Sequence, residues 1–393
     1  MYYSRAIEPK IKDNLDNDEA IIITGMRRVG KTSLMKKIFE DLSKNKIWFD
    51  FENPLDIKYF ESIDYNDIYS NLADKGDLDK NKRIYVFIDE VQHYPEISKI
   101  VKYLIDHYKT KFVLTGSASY YLKNLFPESL AGRKIIFELY PLDFEEFLIF
   151  KGEDILKYRK IKNKKNISQL DYEIYNKYYN EFVEWGGFPA VVLLDRANKK
   201  EQMLKDIFSS YYQNEIIGLS DYRKNEKIRD LILLLASRVG SQLDLVKLSQ
   251  ELGINRTTVY SYLSFLQATY FIHLLSPFSK SIDREVSGSQ KVYFCDNGIL
   301  KIITNLNSGQ ILENAVFNQL KTKGQLTYFR KPSGAEIDFV LDKKNAYEVK
   351  TTATASYAGN LKRSMGTAKL KEGFMISKNF VSGIGDVIFG EFL

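Results

Sequence analysis

The segment GMRRVGKT, Gly25 to Thr32, follows the apolar run AIIIT and precedes the helical SLMKKIFEDL. A G-x-x-x-x-G-K-[ST] string between strand and helix admits few folds: a glycine-rich turn leaves the end of a buried strand and feeds a helix N-terminus. Gly25, Arg27, Arg28, Val29, Gly30, Lys31, Thr32 and Ser33 then form a nucleotide cradle. Backbone N–H groups wrap the β-phosphate, Lys31 neutralises β/γ oxygens, Thr32 offers its hydroxyl to Mg²⁺, and Arg27 and Arg28 line the mouth. The matching half is YVFIDEVQ, an apolar strand that delivers two acids to the sheet's carboxyl end. Asp89 is expected to hold Mg²⁺ through water, and Glu90 to polarise the attacking water as general base.

Around these motifs, β-branched or aromatic runs (KIWFDFE, KFVLTGS, KIIFELY) alternate with helical patterns, which predicts a parallel α/β sheet. Thr115 and Ser117 end one strand, where they either sense the γ-phosphate or cap the strand. Arg133, in LAGRK, is either a finger supplied in trans to a neighbour's nucleotide or an ordinary surface arginine. A chain of 393 residues exceeds one ordinary core. The expected division is an ATPase domain over 1–150, a helical linker region over 151–225, a winged helix over 226–290 and a second α/β domain over 291–393. Within the linker region, Lys151 to Glu173 reads as a linker or exposed helical insertion.

Composition narrows the setting. The hydrophobic share of 44% and charged share of 27% fit a soluble folded chain, and the longest apolar runs fall short of a bilayer span. The N-terminus lacks an export signal, and one cysteine, Cys295, excludes an internal disulfide. A cytoplasmic location without membrane contact is expected. A formal charge of +6 permits nucleic-acid binding without requiring it.

GMRRVGKTSL, FIDEVQ, LTGSAS, LAGR, YPLDFEEF and GGFPAV resemble the prokaryotic AAA-superfamily ATPases close to the signal-transduction ATPases, over nearly the whole chain. The resemblance implies ATP/ADP and Mg²⁺ as cofactors, hydrolysis, a winged helix and a C-terminal domain of uncharacterised role. It implies no substrate.

Leu243 to Ile272 has a helix–turn–helix pattern: a first helix ending at Leu252, Gly253 in the turn and a second helix opening at Asn255. Leu245, Leu248, Leu252, Val259, Leu263 and Leu266 recur at helical spacing. FIHLLSPFS and KVYFCD supply the strands of a wing. Arg256, Thr257, Tyr260 and Ser261 either face a DNA major groove or lie on a packing module, and Arg256 is the only cation between Asn255 and Gln267.

Further on, EIDFVL and AYEVK read as alternating strands of a hairpin. Ile337, Phe339 and Leu341 are expected to face a core with Tyr347 and Val349, leaving Asp338, Glu348 and Lys350 opposite. Acid followed by acid-x-Lys is a restriction-endonuclease-like pattern, and Glu313 in the helical QILENAVFNQL matches its helical carboxylate. Asp338 and Glu348 would bind Mg²⁺ or Mn²⁺ at a scissile phosphate, Glu313 would act through the ion's water, and Lys350 would orient the nucleophile. Glu336 shares the face of Asp338, and Arg330 and Lys331 precede it as phosphate contacts. A solvated hairpin whose alternate residues happen to be charged, or a nuclease fold kept only for binding, remain alternatives. Pairing Asp338 opposite Glu348 puts Val340 opposite Ala346 and leaves Leu341 to Asn345 as the connection.

The reading is an AAA-type ATPase coupled to a DNA-associated, metal-dependent nuclease domain, with a homo-oligomer as a further expectation. Its rival is a nucleotide-dependent switch or scaffold without nuclease activity.

Overall fold

The computed structural model describes residues 2–43, 45–116, 132–217, 225–279, 288–331 and 334–393. The chain divides into two compact units: residues 1–140 with 268–270, and residues 141–267 with 271–393.

The first unit holds a five-stranded sheet: β1 (Ala20–Thr24), β2 (Lys46–Asp50), β3 (Tyr85–Asp89), β4 (Lys111–Gly116) and β5 (Lys134–Glu138), in the order β2-β3-β4-β1-β5. Every neighbouring pair is parallel. Continuous burial along β1, β3 and β4 explains their unbroken apolar runs, since helices cover both faces of such a sheet. The helix Ile97–Tyr108 places Ile97, Ile100, Val101, Leu104 and Ile105 into that core. All carboxyl ends lie at one edge, where open parallel sheets bind ligands.

In the second unit, Leu245–Leu252 ends on Gly253 in the left-handed region, and the helix Arg256–Ala268 is capped by the Asn255 side chain, which accepts from the Thr258 amide at 2.7 Å. Leu248, Leu252, Val259, Leu263 and Leu266 are buried, whereas Leu245 is only half-buried. β6 (Ile272–Leu275) pairs antiparallel with β7 (Lys291–Phe294). The stretch read as a linker or exposed insertion contains the helix Ile155–Lys162, capped by Asp154. Tyr158 and Ile161 in it, one turn apart, are buried, and the Tyr158 hydroxyl donates to the Glu391 carbonyl at 2.6 Å. Its high charge hid that apolar pair.

A second five-stranded sheet, mixed in direction, runs β12-β11-β10-β9-β8 with β8 (Leu326–Arg330), β9 (Glu336–Leu341), β10 (Asn345–Lys350), β11 (Glu372–Ser377) and β12 (Val387–Phe389). Val340 pairs with Ala346 as the parity argument required, but Leu341 also pairs with Asn345. The connection is therefore Asp342 to Lys344, with Asp342 and Lys343 at φ 51° and 57°, and not the five residues expected. β9 is buried from Ile337 to Leu341, so the hairpin has no solvated face there. Phe339 meets Phe317 of the helix Ser308–Leu320, while Val340 shares a core with Leu361 and Ala368 of the helix Ala355–Ala368. Ile337 lies in the same core as Val340, because the β8–β9 register shifts between Thr327 and Phe329, so Ile337 and Phe339 do not share the face that strict alternation predicted.

Candidate functional site

The P-loop leaves β1 at Thr24 and enters the helix Lys31–Asp41 through Gly30, whose φ of 99° no side chain adopts comfortably. A Cβ on Gly25 would stand 2.1 Å from the Leu139 carbonyl oxygen, so glycine is required by contact as well as by its φ of 153°. The Lys31 ammonium, nearly buried, donates to the carbonyls of Gly25 and Met26 at 3.0 and 3.1 Å. Val29 is buried, Arg27 half-buried, and Arg28 and Ser33 exposed.

Two further contacts fix this cradle, of which Arg5 escaped the sequence. Arg5 donates to the Val29 carbonyl at 2.8 Å and to the Tyr140 carbonyl at 2.8 Å, fastening the loop from outside the motif. Thr115, fully buried, donates to Asp89 and accepts from the Glu90 amide at 3.2 Å. The side chain thus ties the Asp89 carboxylate to the Glu90 backbone, a contact apart from the two roles expected of it. Burial pushes the Asp89 carboxyl up, opposed by hydrogen bonds from Thr115 and Thr32. Glu90 sits at φ 53° and accepts from Gln92. Ser117 lies outside the described residues. Arg133 precedes β5 and pairs with Asp106 at 2.7 Å; Ala20, at the start of β1, donates to its carbonyl. It stands at the amino-terminal edge of the sheet, whereas the P-loop leaves β1 at the opposite edge.

In the second unit the structure brings Glu313, Asp338, Glu348 and Lys350 together, with Glu336 beside them. Asp338 Oδ2 accepts from the Val349 amide at 2.8 Å. Lys350 lies 2.7 Å from Glu348 and 3.9 Å from Asp338. Burial and then the Asp338 charge push Glu313 and Glu348 each up to about 7. Glu348 Oε2 is buried with no hydrogen-bond partner, an oxygen suited to a cation. Against that fit, Lys350 is already ion-paired to Glu348, and among the described residues no three acidic, His or Cys side chains are arranged to hold a metal. Sequence reasoning missed Lys291, which touches three of the acids, and Tyr293, whose hydroxyl donates to Glu313 at 2.7 Å. Both lie on β7, about 20 residues before Glu313, where no local pattern announces them.

On the helix–turn–helix, Arg256, Thr257, Tyr260 and Ser261 are all exposed. No helix among the described residues is long and apolar enough to cross a membrane.

Comparison with known proteins gives family matches along the chain. Residues 17–148 match the AAA domain, while 176–310 and 308–379 match two domains of unknown function, DUF8612 and DUF4143. An uncharacterized protein of Methanocaldococcus jannaschii is 29% identical over 353 residues, covering 87% of this chain and 76% of its own. Another, of Haemophilus influenzae, is 29% identical over 342 residues, covering 84% and 80%. Among solved structures, a Walker-type ATPase of Pyrococcus abyssi is similar with a TM-score of 0.50 and 16% identity, over 77% of this chain and 96% of that one. The first unit thus carries an AAA-type P-loop ATPase fold, which supports nucleotide binding.

Proposed function

We propose that this chain binds and hydrolyses ATP, and that its nucleotide state governs a DNA-associated, metal-dependent phosphodiesterase centre on the second sheet. The observation that carries the first half is the convergence of Lys31, Thr32, Asp89, Glu90 and Thr115 at the carboxyl edge of a parallel sheet. Thr32 and Asp89 would hold Mg²⁺, which when bound neutralises β/γ oxygens. Lys31 adds its charge to the same oxygens, and Glu90 takes a proton from the attacking water. Thr115 keeps the two acids apart in role, holding Asp89 by its hydroxyl and fixing the Glu90 backbone. Phosphate release and nucleotide affinity, measured side by side for wild type, Lys31→Ala and Glu90→Gln, test this half.

For the second half, Asp338 and Glu348 would hold the metal ion, which when bound withdraws charge from a phosphodiester; Glu313 would hold a water and Lys350 orient the nucleophile. The orphaned Glu348 oxygen supports this reading. The helix–turn–helix with β6 and β7 is read as a winged helix whose exposed Arg256, Thr257, Tyr260 and Ser261 meet DNA. Arg133 serves a neighbouring copy in a homo-oligomer, so ATPase activity per chain should rise with protein concentration.

The Lys350–Glu348 pair favours a second reading, a nucleotide-dependent switch or scaffold in which the acids are only structural. Mn²⁺-dependent cleavage of supplied DNA, lost in Asp338→Asn, separates the two.

A further inference from the structure

A guanidinium from outside the motif grips the P-loop by its backbone. Arg5 precedes the helix Glu8–Lys12, whose Glu8 amide donates to the Arg5 carbonyl at 3.0 Å, and it is only 5% exposed. Its Nη1 donates to the Val29 carbonyl and its Nη2 to the Tyr140 carbonyl, each at 2.8 Å. One planar fork thus joins the loop to the chain just past β5.

A trans peptide is rigid, and its C=O and N–H point to opposite sides. With the Val29 carbonyl turned to Arg5, the N–H of the same peptide, that of Gly30, points away from the guanidinium. Gly30 at φ 99° carries no Cβ to hinder a flip of this peptide, and Nη1 stands 3.8 Å from where a Cβ would be. The peptide after Gly30 is held by the helix, since the Leu34 amide donates to the Gly30 carbonyl at 3.0 Å. Arg5 holds the peptide before it. The far end of the tether is fixed as well: the Leu139 amide donates to the Thr24 carbonyl at 2.7 Å, and the Tyr140 and Tyr270 hydroxyls both donate to Glu138, at 2.5 and 3.0 Å.

We propose that Arg5 is a positioning residue for the nucleotide: it presets the Val29–Gly30 peptide so that the Gly30 N–H meets the β-phosphate without a rearrangement of the loop. In the flipped peptide the Val29 carbonyl oxygen faces the phosphate instead, which exchanges an attraction for a repulsion. The inference rests on the nucleotide-binding reading above and adds to it a residue that the motif does not contain.

The test uses the full chain, with ADP binding followed by calorimetry and AMP by competition against ADP, since only ADP carries a β-phosphate. Arg5→Ala should weaken ADP by roughly tenfold and AMP by less than about twofold, because the contact that suffers is the one to the β-phosphate. Arg5→Lys keeps the charge but not the fork, so it should show the same selective loss at smaller size. Equal weakening of ADP and AMP makes Arg5 a support of the fold and overturns the proposal, as does an ADP affinity unchanged in Arg5→Ala. A wild type that binds neither nucleotide removes the nucleotide-binding reading and the proposal with it. Should Arg5→Ala fail to fold, Arg5→Lys decides: an ADP affinity equal to wild type, or AMP weakened as much as ADP, overturns the proposal.

Discussion

The P-loop and the carboxylate cluster gather charge by opposite means. In the P-loop the groups that would meet phosphate are contiguous, and one short string of residues fixes them. Lys31 is held there by two carbonyls of its own loop. The cluster takes its members from β7, the helix Ser308–Leu320, β9 and β10, and each charge is met by another side chain. A site written in backbone geometry is specified locally and waits for a ligand. A site assembled from distant side chains must neutralise itself when the chain folds, because unpaired buried charge is costly.

The sharpest break between the two should come from paired variants. Glu90→Gln should lower ATP turnover by roughly 10²–10⁴-fold with nucleotide affinity kept, whereas Lys31→Ala should lose affinity as well. Unchanged turnover in Glu90→Gln, by phosphate release, would remove it as the base. Next, Asp338→Asn should cut metal-dependent DNA cleavage by about 10²-fold while leaving ATP hydrolysis in place, measured on the same preparation. Parallel loss of both activities would mean that the cluster supports the fold rather than a second reaction.

Two glycine substitutions sharpen the contrast at smaller scale. In Gly25→Ala the new methyl meets backbone at 2.1 Å, which cannot swing aside, so nucleotide affinity should fall by roughly tenfold or more. In Gly240→Ala it meets the end of a flexible carboxylate at 2.9 Å, so a φ of 75° is the main cost, about 1–2 kcal/mol. Thermal unfolding and ATP titration distinguish them: Gly240→Ala should lose stability with ATP affinity unchanged.

The same contrast explains what the sequence disclosed. The cradle, the acids Asp89 and Glu90, the turn at Gly253 and the Val340–Ala346 register were legible, because each follows from local spacing or strand parity. Arg5, Lys291 and Tyr293 were not, since their roles depend on which distant carbonyl or carboxylate the fold brings near. The two buried faces of β9 were hidden for a related reason: Asp338 alternates with apolar residues as a solvated position would, yet it is buried against the Val349 amide.

The smallest effect concerns pH. Glu313 and Glu348 are held at about 7 in the folded chain against an ordinary value of 4.5, chiefly by burial. Between those values the folded state keeps protons that the unfolded chain has released, so stability contributed by these groups is present at the acid end and falls as pH rises toward 7. His273, buried and pushed well below its usual value, works in the reverse sense, since the unfolded chain takes up a proton there as pH falls below 6.5. The absolute curve therefore mixes opposite slopes, and the informative quantity is a difference. Relative to wild type, Glu348→Gln should unfold at a temperature that gains, on the order of a few degrees, as pH rises from 5 to 7.5, because the variant carries no carboxyl to ionise. Asp89, raised in the same direction beside the P-loop, is common to both proteins and cancels. Saturating Mn²⁺ should shrink the difference by stabilising the wild-type carboxylate and leaving the amide unaffected. A difference that does not change with pH would mean that Glu348 is ionised throughout the range, held so by Lys350, and the two sites would then differ in architecture but not in how they carry charge.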